Sequence, residues 1–332
     1  MGEKKTIVVA DAISSYSRQL CGKYNTSGAE ILFYAGEDAL EAALPEADVL
    51  LTSTRGVSAE MLEKASRCRM IQKLGTGVNN IDAEAAGRRG VYVCNVAGAN
   101  SVSVAEYAVM LILASCRHVN IAHNRLALEG KWEKSTLRDS CCELSGKTVG
   151  IVGFGNIGRT VARLLAGFSC AILYHDVSRA DPEHEASCDA VWCDLDDLCR
   201  RADVVSLHAP LTPQTRHMID ARRLALMRDD AVLVNTGRGG LIDEAALYET
   251  LGQGRLLGVA LDVHEQEPMP ATNPLKEFER VILSPHTGAG TREAMDRVIG
   301  EAFVNVNGLL EDGQIRNWNN VVNRAALGGK RA

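Results

Sequence analysis

The sequence Val149-Gly150-Ile151-Val152-Gly153-Phe154-Gly155-Asn156-Ile157-Gly158 decides the fold of this chain, because a short apolar run leads directly into a G-x-G-x-x-G motif. Gly153 allows the tight turn from a strand into a helix, and Gly155, which has no β-carbon, lets a pyrophosphate approach the backbone. Gly158 lets the helix pack closely on its strand, and the free N–H groups at the start of that helix attract phosphates. The motif therefore predicts a βαβ unit that binds a dinucleotide.

An acidic residue after the next apolar run bears on the choice of cofactor. The run at residues 171–174 is followed by Asp176, 18 residues after Gly158. A carboxylate at this position accepts hydrogen bonds from the ribose hydroxyls of NAD and repels the 2′-phosphate of NADP. Arg179 could meet such a phosphate, but a surface arginine after a strand is common. NAD is therefore the expected cofactor.

Length and composition are those of an ordinary enzyme with a large core. The chain has 332 residues, of which 46% are hydrophobic and 23% charged, and two domains are expected. A net charge of -6 without a basic block argues against nucleic acid as a partner. We see no signal peptide, and the most hydrophobic stretch, residues 102–114, is too short to span a bilayer. We expect a cytoplasmic protein that binds no membrane.

The ten cysteines are expected to be free thiols, because they are scattered through apparent strands and helices of a large chain. The vicinal pair Cys141-Cys142 precedes the cofactor strand and is interpreted as two small residues in a connector rather than as a redox switch. One denser group lacks the paired spacing of structural zinc ligands, so no metal is expected there. It consists of His184, Cys188, Cys193 and Cys199.

Strand-like and helix-like patterns alternate along the chain in two series, which predicts an α/β fold with parallel sheets. The first series has strands at residues 6–10, 30–34, 49–52, 70–74 and 91–95. The second has six strands, at residues 149–152, 171–174, 204–208, 232–235, 257–261 and 281–283. We predict two Rossmann-like or flavodoxin-like domains. A doubly wound NAD domain (residues 101–291) is inserted in a discontinuous substrate domain (residues 1–100 and 292–332).

Two helices complete the expected organisation. One begins near Asn100, where Ser103-Val104-Ala105-Glu106 has the form of a capping box. The residues that follow, 107–115, are apolar on almost all sides of the helix, which indicates burial between domains or subunits. The other, at residues 291–311, has no strand after it and is expected to pack on the N-terminal domain. We see no internal sequence repeat, and residues 328–332 are expected to be disordered.

Polar residues follow three strands of the second series, at residues 235–240, 262–268 and 284–288. The carboxyl ends of parallel strands line the ligand crevice of a doubly wound sheet, so these segments should converge. An arginine, an acid and a histidine suit hydride transfer to a keto acid. The arginine forks onto the substrate carboxylate, the histidine protonates the carbonyl oxygen, and the acid keeps the imidazole charged. By position alone, Glu265 and Asp262 compete with Glu267, and His264 and His208 with His286.

Six segments resemble the D-isomer-specific 2-hydroxyacid dehydrogenase family, and the resemblance extends over nearly the whole chain. It implies that Arg238 anchors the substrate carboxylate and carbonyl, that His286 is the acid and base, and that Glu267 is its partner. It also implies a homodimer, with the region of the Ser103 helix in the interface. The matching segments are residues 73–82, 153–158, 208–212, 235–243, 262–268 and 285–290.

Further site residues follow from the resemblance and from their position at strand ends. For the cofactor they are Gly153, Gly155, Asn156, Ile157, Gly158, Asp176, His208, Thr236, Gly237, Asp262 and Gly288. For the substrate they are Arg55, Lys73, Gly75, Thr76 and Gly77. Lys73 also has a purely structural interpretation, and His208 that of a buried imidazole.

The identity of the substrate stays open. Phosphoglycerate dehydrogenases of this family tend to carry an arginine at the position of Thr52, and they often have a C-terminal regulatory domain that this chain has no room for. A small 2-keto acid such as glyoxylate or hydroxypyruvate fits at least as well as a phosphorylated one. An NAD(H)-sensing protein like the C-terminal-binding corepressors would keep the same Arg, Glu and His, but we see no peptide-like extension.

Overall fold

The computed structural model describes residues 4–327, so the expected disorder of residues 328–332 falls outside it. The chain forms two compact units, each described here by itself. Unit 1 consists of Met1–Asn100 and Thr291–Ala332, and unit 2 of Ser101–Gly290.

Unit 1 is built on a sheet of five parallel strands in the order β2-β1-β3-β4-β5. Its strands are β1 (Thr6–Val9), β2 (Glu30–Phe33), β3 (Val49–Thr52), β4 (Met70–Lys73) and β5 (Tyr92–Cys94). Its first four helices are α1 (Ser15–Tyr24), α2 (Glu37–Ala43), α3 (Ala59–Lys64) and α4 (Ala83–Arg88). The strands β1, β3 and β4 are buried throughout, which is why they read as apolar runs in the sequence.

Unit 2 contains a sheet of seven parallel strands in the order β12-β11-β10-β9-β6-β7-β8. The strands are β6 (Thr148–Val152), β7 (Ala171–His175), β8 (Ala190–Trp192), β9 (Val204–Leu207), β10 (Val232–Asn235), β11 (Gly258–Leu261) and β12 (Val281–Leu283). Six of these were predicted, and β8 was missed. It is an edge strand in which Val191 is exposed, and it follows Asp189, which has a φ of 49°, so no buried apolar run marks it in the sequence.

Helices cover both faces of this sheet, each with its own hydrophobic cluster. They are α5 (Ser101–Cys116), α6 (Val119–Ala127), α7 (Lys134–Ser140), α8 (Asn156–Leu165), α9 (Pro182–Ala186), α10 (Leu195–Arg201), α11 (Ala221–Leu226) and α12 (Glu244–Gly252). The predicted capping box is wrong: α5 begins at Ser101, so Ser103 lies inside the first turn and is buried. Both parallel sheets confirm the α/β class.

The chain returns to unit 1 in the long helix α13 (Arg292–Asp312), which Thr291 caps by accepting the N–H of Ala294. This helix packs on α1 and β4, with Phe303 and Val306 in the core cluster of that face. The expectation that the last helix packs on the N-terminal part is confirmed. Within residues 4–327 no single helix is long and apolar enough to cross a membrane, although α5 and α6, bent by 63°, reach that length together.

Each of the two sheets contains the same kind of hydrogen bond, from the first residue of one strand to an aspartate before another. This correspondence was not apparent in the sequence, in which we see no internal repeat. In unit 1, Asp48 precedes β3 and its Oδ2 accepts the N–H of Thr6, the first residue of β1, at 2.8 Å. In unit 2, Asp203 precedes β9 and its Oδ2 accepts the N–H of Thr148, the first residue of β6, at 2.8 Å. Both strand pairs begin with Lys-Thr on one strand and Ala-Asp-Val on the other.

Candidate active site

The glycine motif of unit 2 forms a turn that ends in helix α8. Gly153 has a φ of +91°, and a β-carbon on it would lie 2.6 Å from the backbone nitrogen of Ala209. A β-carbon on Gly158 would lie 2.1 Å from the carbonyl oxygen of Gly153, so this contact lets the helix approach its strand. Around Gly155, the residue before α8, no described atom lies within 4 Å of such a β-carbon. The turn is therefore packed at its two ends and open at the residue that would face a phosphate.

The first turn of α8 holds the next two predicted cofactor residues. Asn156 begins the helix and its Oδ1 accepts a hydrogen bond from Arg159 at 3.0 Å, while Ile157 is half-buried against the core of this face. A ten-residue helix directs unpaired N–H groups toward a ligand at this end.

Asp176 follows β7 and is held by the glycine turn itself. Its Oδ2 accepts the N–H of Phe154 at 2.7 Å, and its Oδ1 accepts the N–H of Val177 at 2.7 Å. Arg179 forms an ion pair with Glu185, with 2.8 Å between Nε and Oε1. Hydrogen bonds from Arg179 and Tyr174 lower the pKa of Glu185 to about 2. The guanidinium of Arg179 is thus already paired with Glu185, which weakens its case as a partner for a 2′-phosphate.

The segment after β10 presents Arg238 on a braced turn. The buried side chain of Asn235 accepts the N–H of Gly237 at 3.0 Å and donates to the carbonyl of Arg238 at 2.9 Å. Arg238 Nη1 donates to the Gly237 carbonyl at 2.7 Å. Burial lowers the pKa of Arg238, and the negative charge of Glu267 acts in the opposite direction. Asn235 therefore positions Arg238, a role that no spacing in the sequence indicated.

Gly239 joins this turn to the acidic segment that follows β11. A β-carbon on Gly239 would lie 1.9 Å from the carbonyl carbon of His264 and 2.4 Å from the nitrogen of Glu265. The two backbones are therefore in direct contact, which only a glycine permits. This contact fixes the arginine turn against the segment that carries Glu267.

Asp262 organises the segment that carries the candidate histidine. Its buried carboxylate accepts the hydroxyl of Ser284 at 2.7 Å and the N–H groups of Thr287 and Gly288 at 2.8 Å each. Its carbonyl accepts the N–H of His286 at 2.8 Å. A β-carbon on Gly288 would lie 2.9 Å from Asp262 Oδ2. The resemblance placed Asp262 near the nicotinamide, and the geometry adds that it holds the backbone around His286.

His286 and Glu267 form a hydrogen-bonded pair, with 2.8 Å between Nδ1 and Oε2. His286 has a φ of 54°, a left-handed conformation that is uncommon for a residue other than glycine and is often found at functional sites. Glu267 Oε1 accepts the N–H of His264 at 3.1 Å. Burial alone would raise the pKa of Glu267, but the hydrogen bonds from His286 and His264 outweigh it and lower that pKa.

The competing histidines have other partners. His208 Nε2 lies 2.9 Å from the Ser206 hydroxyl and Nδ1 lies 3.2 Å from that of Thr236, and burial lowers the pKa of His208 to about 4. It is thus neutral at physiological pH. His264 is buried, and its Nε2 lies 3.0 Å from the Ser284 carbonyl oxygen. Of the three histidines, His286 is the one paired with the acid that the family pattern selects.

The predicted substrate residues of unit 1 surround the end of β4. Gly75 has a φ of +157°, and its carbonyl accepts the N–H of Val96 at 2.9 Å. Thr76 is exposed, and its carbonyl accepts a hydrogen bond from Asn95 at 2.8 Å. Gly77 follows in the same turn. Lys73 is buried and donates to Asn80 Oδ1 at 3.3 Å, which supports its structural interpretation.

The structure directs Arg55 to another partner than a substrate anion. Its guanidinium forms an ion pair with Glu37, its Nε donates to the Ala10 carbonyl at 2.8 Å, and it lies 5.2 Å over the ring of Tyr34. A salt bridge and a cation–π contact would both have to be broken before Arg55 could bind an anion. Its predicted substrate contact stays a prediction, and a substrate anion would compete with Glu37 for this guanidinium.

Asp11 is a positioning residue that the sequence reading missed. It lies after β1 and accepts the N–H of Thr54 at 3.0 Å, that of Ser53 at 2.6 Å and the hydroxyl of Thr52 at 2.9 Å. Burial would raise the pKa of Asp11, but these hydrogen bonds together lower it. Asp11 thereby shapes the turn after β3 much as Asp262 shapes the turn after β12.

Comparison with known proteins identifies the family. Residues 109–288 match the model of the D-isomer specific 2-hydroxyacid dehydrogenase NAD binding domain. The chain is 42% identical over 265 residues to hydroxypyruvate reductase from Thermotoga maritima, a match that covers 79% of this chain and 84% of that protein. This chain belongs to the D-isomer-specific 2-hydroxyacid dehydrogenase family. Unit 2 is accordingly its NAD-binding domain.

Other relatives differ in length and in named activity. D-3-phosphoglycerate dehydrogenase from Methanocaldococcus jannaschii is 42% identical to this chain over 259 residues. The match covers 78% of this chain but only 48% of that protein. Among solved structures, NAD-dependent formate dehydrogenase from Staphylococcus aureus in complex with NAD has a TM-score of 0.82 at 30% identity. That match covers 94% of this chain and 97% of that one. The family resemblance inferred from the motifs is confirmed, and so is NAD as its cofactor class.

Proposed function

We propose that this protein is an NAD-dependent oxidoreductase that interconverts a small 2-keto acid and the corresponding D-2-hydroxy acid. The observation that carries the proposal is the 2.8 Å hydrogen bond between His286 Nδ1 and Glu267 Oε2. It lies in the same unit as the glycine turn, on a segment that Gly239 locks to the turn of Arg238.

The residues of unit 2 fit a bound NAD. The turn is open at Gly155, the helix N-terminus attracts the pyrophosphate, and Asp176 accepts the ribose hydroxyls. When bound, the nicotinamide exchanges a hydride with the substrate carbon. The further proposed contacts are Asn156, Ile157, Gly158, His208, Thr236, Gly237, Asp262 and Gly288.

The three catalytic side chains have separate proposed roles. Arg238 binds the substrate carboxylate and polarises the carbonyl through its planar fork. His286 donates its Nδ1 proton in the hydrogen bond to Glu267, so Nε2 gives its proton to the carbonyl oxygen during reduction and takes it back during oxidation. Glu267 stabilises the positive charge on the imidazole. Thr76 and its neighbours Gly75 and Gly77 stay proposed substrate contacts.

We favour an unphosphorylated substrate such as glyoxylate or hydroxypyruvate. Arg55, the cation nearest in sequence to Thr52, is engaged by Glu37. The relatives named hydroxypyruvate reductase in Thermotoga maritima and glyoxylate reductase in Aeropyrum pernix are each covered over 84% of their length.

The test is NADH oxidation by the purified chain with glyoxylate, hydroxypyruvate and 3-phosphohydroxypyruvate. We expect turnover with one or both of the first two, at least tenfold higher kcat/KM than with the phosphorylated acid, and near-complete loss in His286→Ala. Equal or better turnover of the phosphorylated acid would contradict the substrate class. Tight NADH binding without turnover of any 2-keto acid would instead indicate the NAD(H)-sensing alternative.

We further propose a homodimer that uses α5 and the segment after it. Large apolar side chains are exposed there, Leu128 at 76% and Trp132 at 80% of their full exposure. A monomer seldom exposes such a group of apolar side chains, which more often marks a protein interface. The full set is Val102, Met110, Val119, Leu126, Leu128 and Trp132. We call it the apolar surface.

A cytoplasmic location is proposed from the thiols. All ten cysteines are free, which suits a reducing compartment. Cell fractionation should place the protein with soluble cytoplasmic markers, and recovery in a membrane or extracellular fraction would contradict this. The absence of nucleic-acid binding stays a prediction from the net charge of -6.

A further inference from the structure

Unit 2 has a cavity of about 220 Å³ that the proposed reaction does not use. It is lined by residues at the amino ends of the strands, including Lys147 before β6 and Val204 at the start of β9. The glycine turn lies at the opposite, carboxyl end of β6. Three cysteines line this cavity: Cys116, Cys141 and Cys142.

Cys116 and Cys142 are neighbours in space as well as in the cavity wall. The N–H of Cys142 donates to the carbonyl of Cys116 at 2.9 Å. A single N–H···O=C bond of this length keeps the two α-carbons within about 7 Å of each other. A disulfide spans roughly 4.4–6.8 Å between α-carbons, so the pair lies within reach of one. Burial raises the pKa of Cys116 to about 12, and the hydrogen-bonded thiol of Cys142 acts in the same direction. Cys116 and Cys142 therefore meet at the wall of one cavity.

The position of this pair in the chain gives it a consequence. Cys116 is the last residue of α5, and Cys142 lies just after α7. The chain between them, residues 117–141, contains α6, α7 and the exposed Leu128 and Trp132. We call this segment the arm. A bond between Cys116 and Cys142 would close the base of the arm.

We propose that Cys116 and Cys142 are a site of reversible oxidation, at which a peroxide joins the two thiols in an intramolecular disulfide. Cys142 is half-buried and Cys116 fully buried, so Cys142 reacts first. Its thiolate attacks the peroxide, which gives a sulfenic acid and, from hydrogen peroxide, one water. The Cys116 sulfur then attacks the Cys142 sulfur, a second water leaves, and the S–S bond forms. A thiol reductant reverses the oxidation.

The neighbouring thiols have weaker claims to either position. Cys141 is adjacent in sequence, and a vicinal disulfide demands strained geometry. Cys170 donates its thiol to the Leu144 carbonyl at 3.4 Å, which holds its sulfur toward the backbone. Cys199 is buried in the hydrophobic cluster on the other face of the sheet, away from Cys116, so a variant at Cys199 is a control for the loss of a cysteine elsewhere.

The experiment uses the full chain, oxidised with hydrogen peroxide, alkylated and mapped by mass spectrometry without reductant. We expect the titratable thiols of the denatured chain to fall from ten to eight, because two are joined. The linked peptides should be residues 90–117 and 139–147, with fragmentation placing the bond at Cys116 and Cys142. Cys142→Ser should abolish the link, whereas Cys141→Ser and Cys199→Ser should keep it. A link that survives Cys142→Ser, or none in the wild type, would overturn the proposal.

Limited proteolysis provides a second readout that needs no cysteine variant. The double variant Leu128→Glu, Trp132→Glu keeps all ten cysteines and removes the proposed interface from this segment, so trypsin should nick its arm at the exposed Lys131 or at Lys134. In oxidised protein the two fragments should migrate together until reductant is added, because the disulfide spans the cut. Fragments that separate without reductant, after oxidation has consumed two thiols, would show that the bond lies elsewhere.

Discussion

At the scale of single residues, the proton on His286 depends on the charge of Glu267. The hydrogen bonds that Glu267 accepts lower its pKa below the ordinary value of a glutamate. It therefore stays ionised at every pH above that ordinary value and loses its charge only as the pH falls through the lowered pKa. Across the neutral range the imidazole thus always faces a negative partner.

Glu267→Gln should move the pH profile of the reaction. Reduction needs a protonated imidazole, and a neighbouring carboxylate favours that form, whereas glutamine keeps the shape without the charge. The alkaline fall of kcat/KM for reduction, and the rising limb for oxidation, should both move down by about one pH unit or more. Glu265→Gln serves as the matched control and should leave the profile in place. A shift of the pH profile in Glu265→Gln, with none in Glu267→Gln, would make Glu265 the partner of His286.

Arg238→Lys should not behave as a conservative change. Lysine keeps the charge but loses the planar fork that meets a carboxylate, and a charged hydrogen bond contributes about 1.5–3 kcal/mol. We expect kcat/KM for the keto acid to fall about tenfold to a few hundredfold, while NADH affinity measured by fluorescence changes little. Near-wild-type turnover would show that another cation holds the substrate carboxylate.

The sequence predicted the residues that we propose carry the chemistry, but not the residues that hold them in place. Arg238, Glu267 and His286 follow strands and match the family motifs. Asp262 and Asp11 act by accepting backbone N–H groups from other segments. Any residue type except proline can supply such a donor, so these contacts leave no pattern in the sequence.

At the scale of elements, the buried strands were predictable because parallel strands covered on both faces are apolar runs. The predicted ends of these strands lie within one residue of the observed ones, as fraying of element ends allows. Short elements and start signals were less predictable. Strand β8 is an edge strand whose middle residue, Val191, is exposed. The apparent capping box at Ser103 lies inside α5, which begins earlier, at Ser101.

Gly239→Ala should uncouple the arginine turn from the acidic segment. The new β-carbon would lie 1.9 Å from the His264 carbonyl carbon, so one of the two backbones must move. Overpacking of this kind costs about 1–3 kcal/mol in the free energy of unfolding, and we expect kcat/KM to fall by more than tenfold as Arg238 is displaced.

The control for this prediction is Gly252→Ala, at the end of α12. No described atom lies within 4 Å of a β-carbon there, and the helix favours alanine over glycine. Urea unfolding should show unchanged or higher stability for Gly252→Ala and lower stability for Gly239→Ala. Equal stability and activity in both variants would mean that the contact at Gly239 is unimportant.

At the scale of the whole molecule, the alternation of strands and helices was sufficient to predict two parallel sheets. The same alternation could not predict a homodimer, because an apolar residue exposed on a helix looks the same in the sequence as an apolar residue of the core. Val102 and Met110 of α5 are 48% and 47% exposed although most of that helix is buried.

Replacing Leu128 and Trp132 together by glutamate should dissociate the proposed dimer. Two charges on the apolar surface would have to be desolvated at an interface, which costs several kcal/mol per ion. Light scattering should then report the monomer mass of 35.7 kDa, and twice that value for the wild type. Val191→Glu, on the exposed face of β8, is the matched control and should leave the dimer intact. A wild-type protein of monomer mass would refute the homodimer.

The hydrogen bond from the N–H of Phe154 to Asp176 limits how this protein can be re-engineered to bind NADP. The same carboxylate that would repel a 2′-phosphate also completes the glycine turn, so removing it alters coenzyme selectivity and loop geometry together. Asp176→Ala should narrow the preference for NAD but weaken both coenzymes, since an unpaired N–H costs about 1–3 kcal/mol. Asp176→Asn keeps an acceptor and should narrow the preference at a smaller loss. An unchanged NAD-to-NADP ratio in both would refute this account, whereas the expected outcome makes asparagine the starting template for coenzyme redesign.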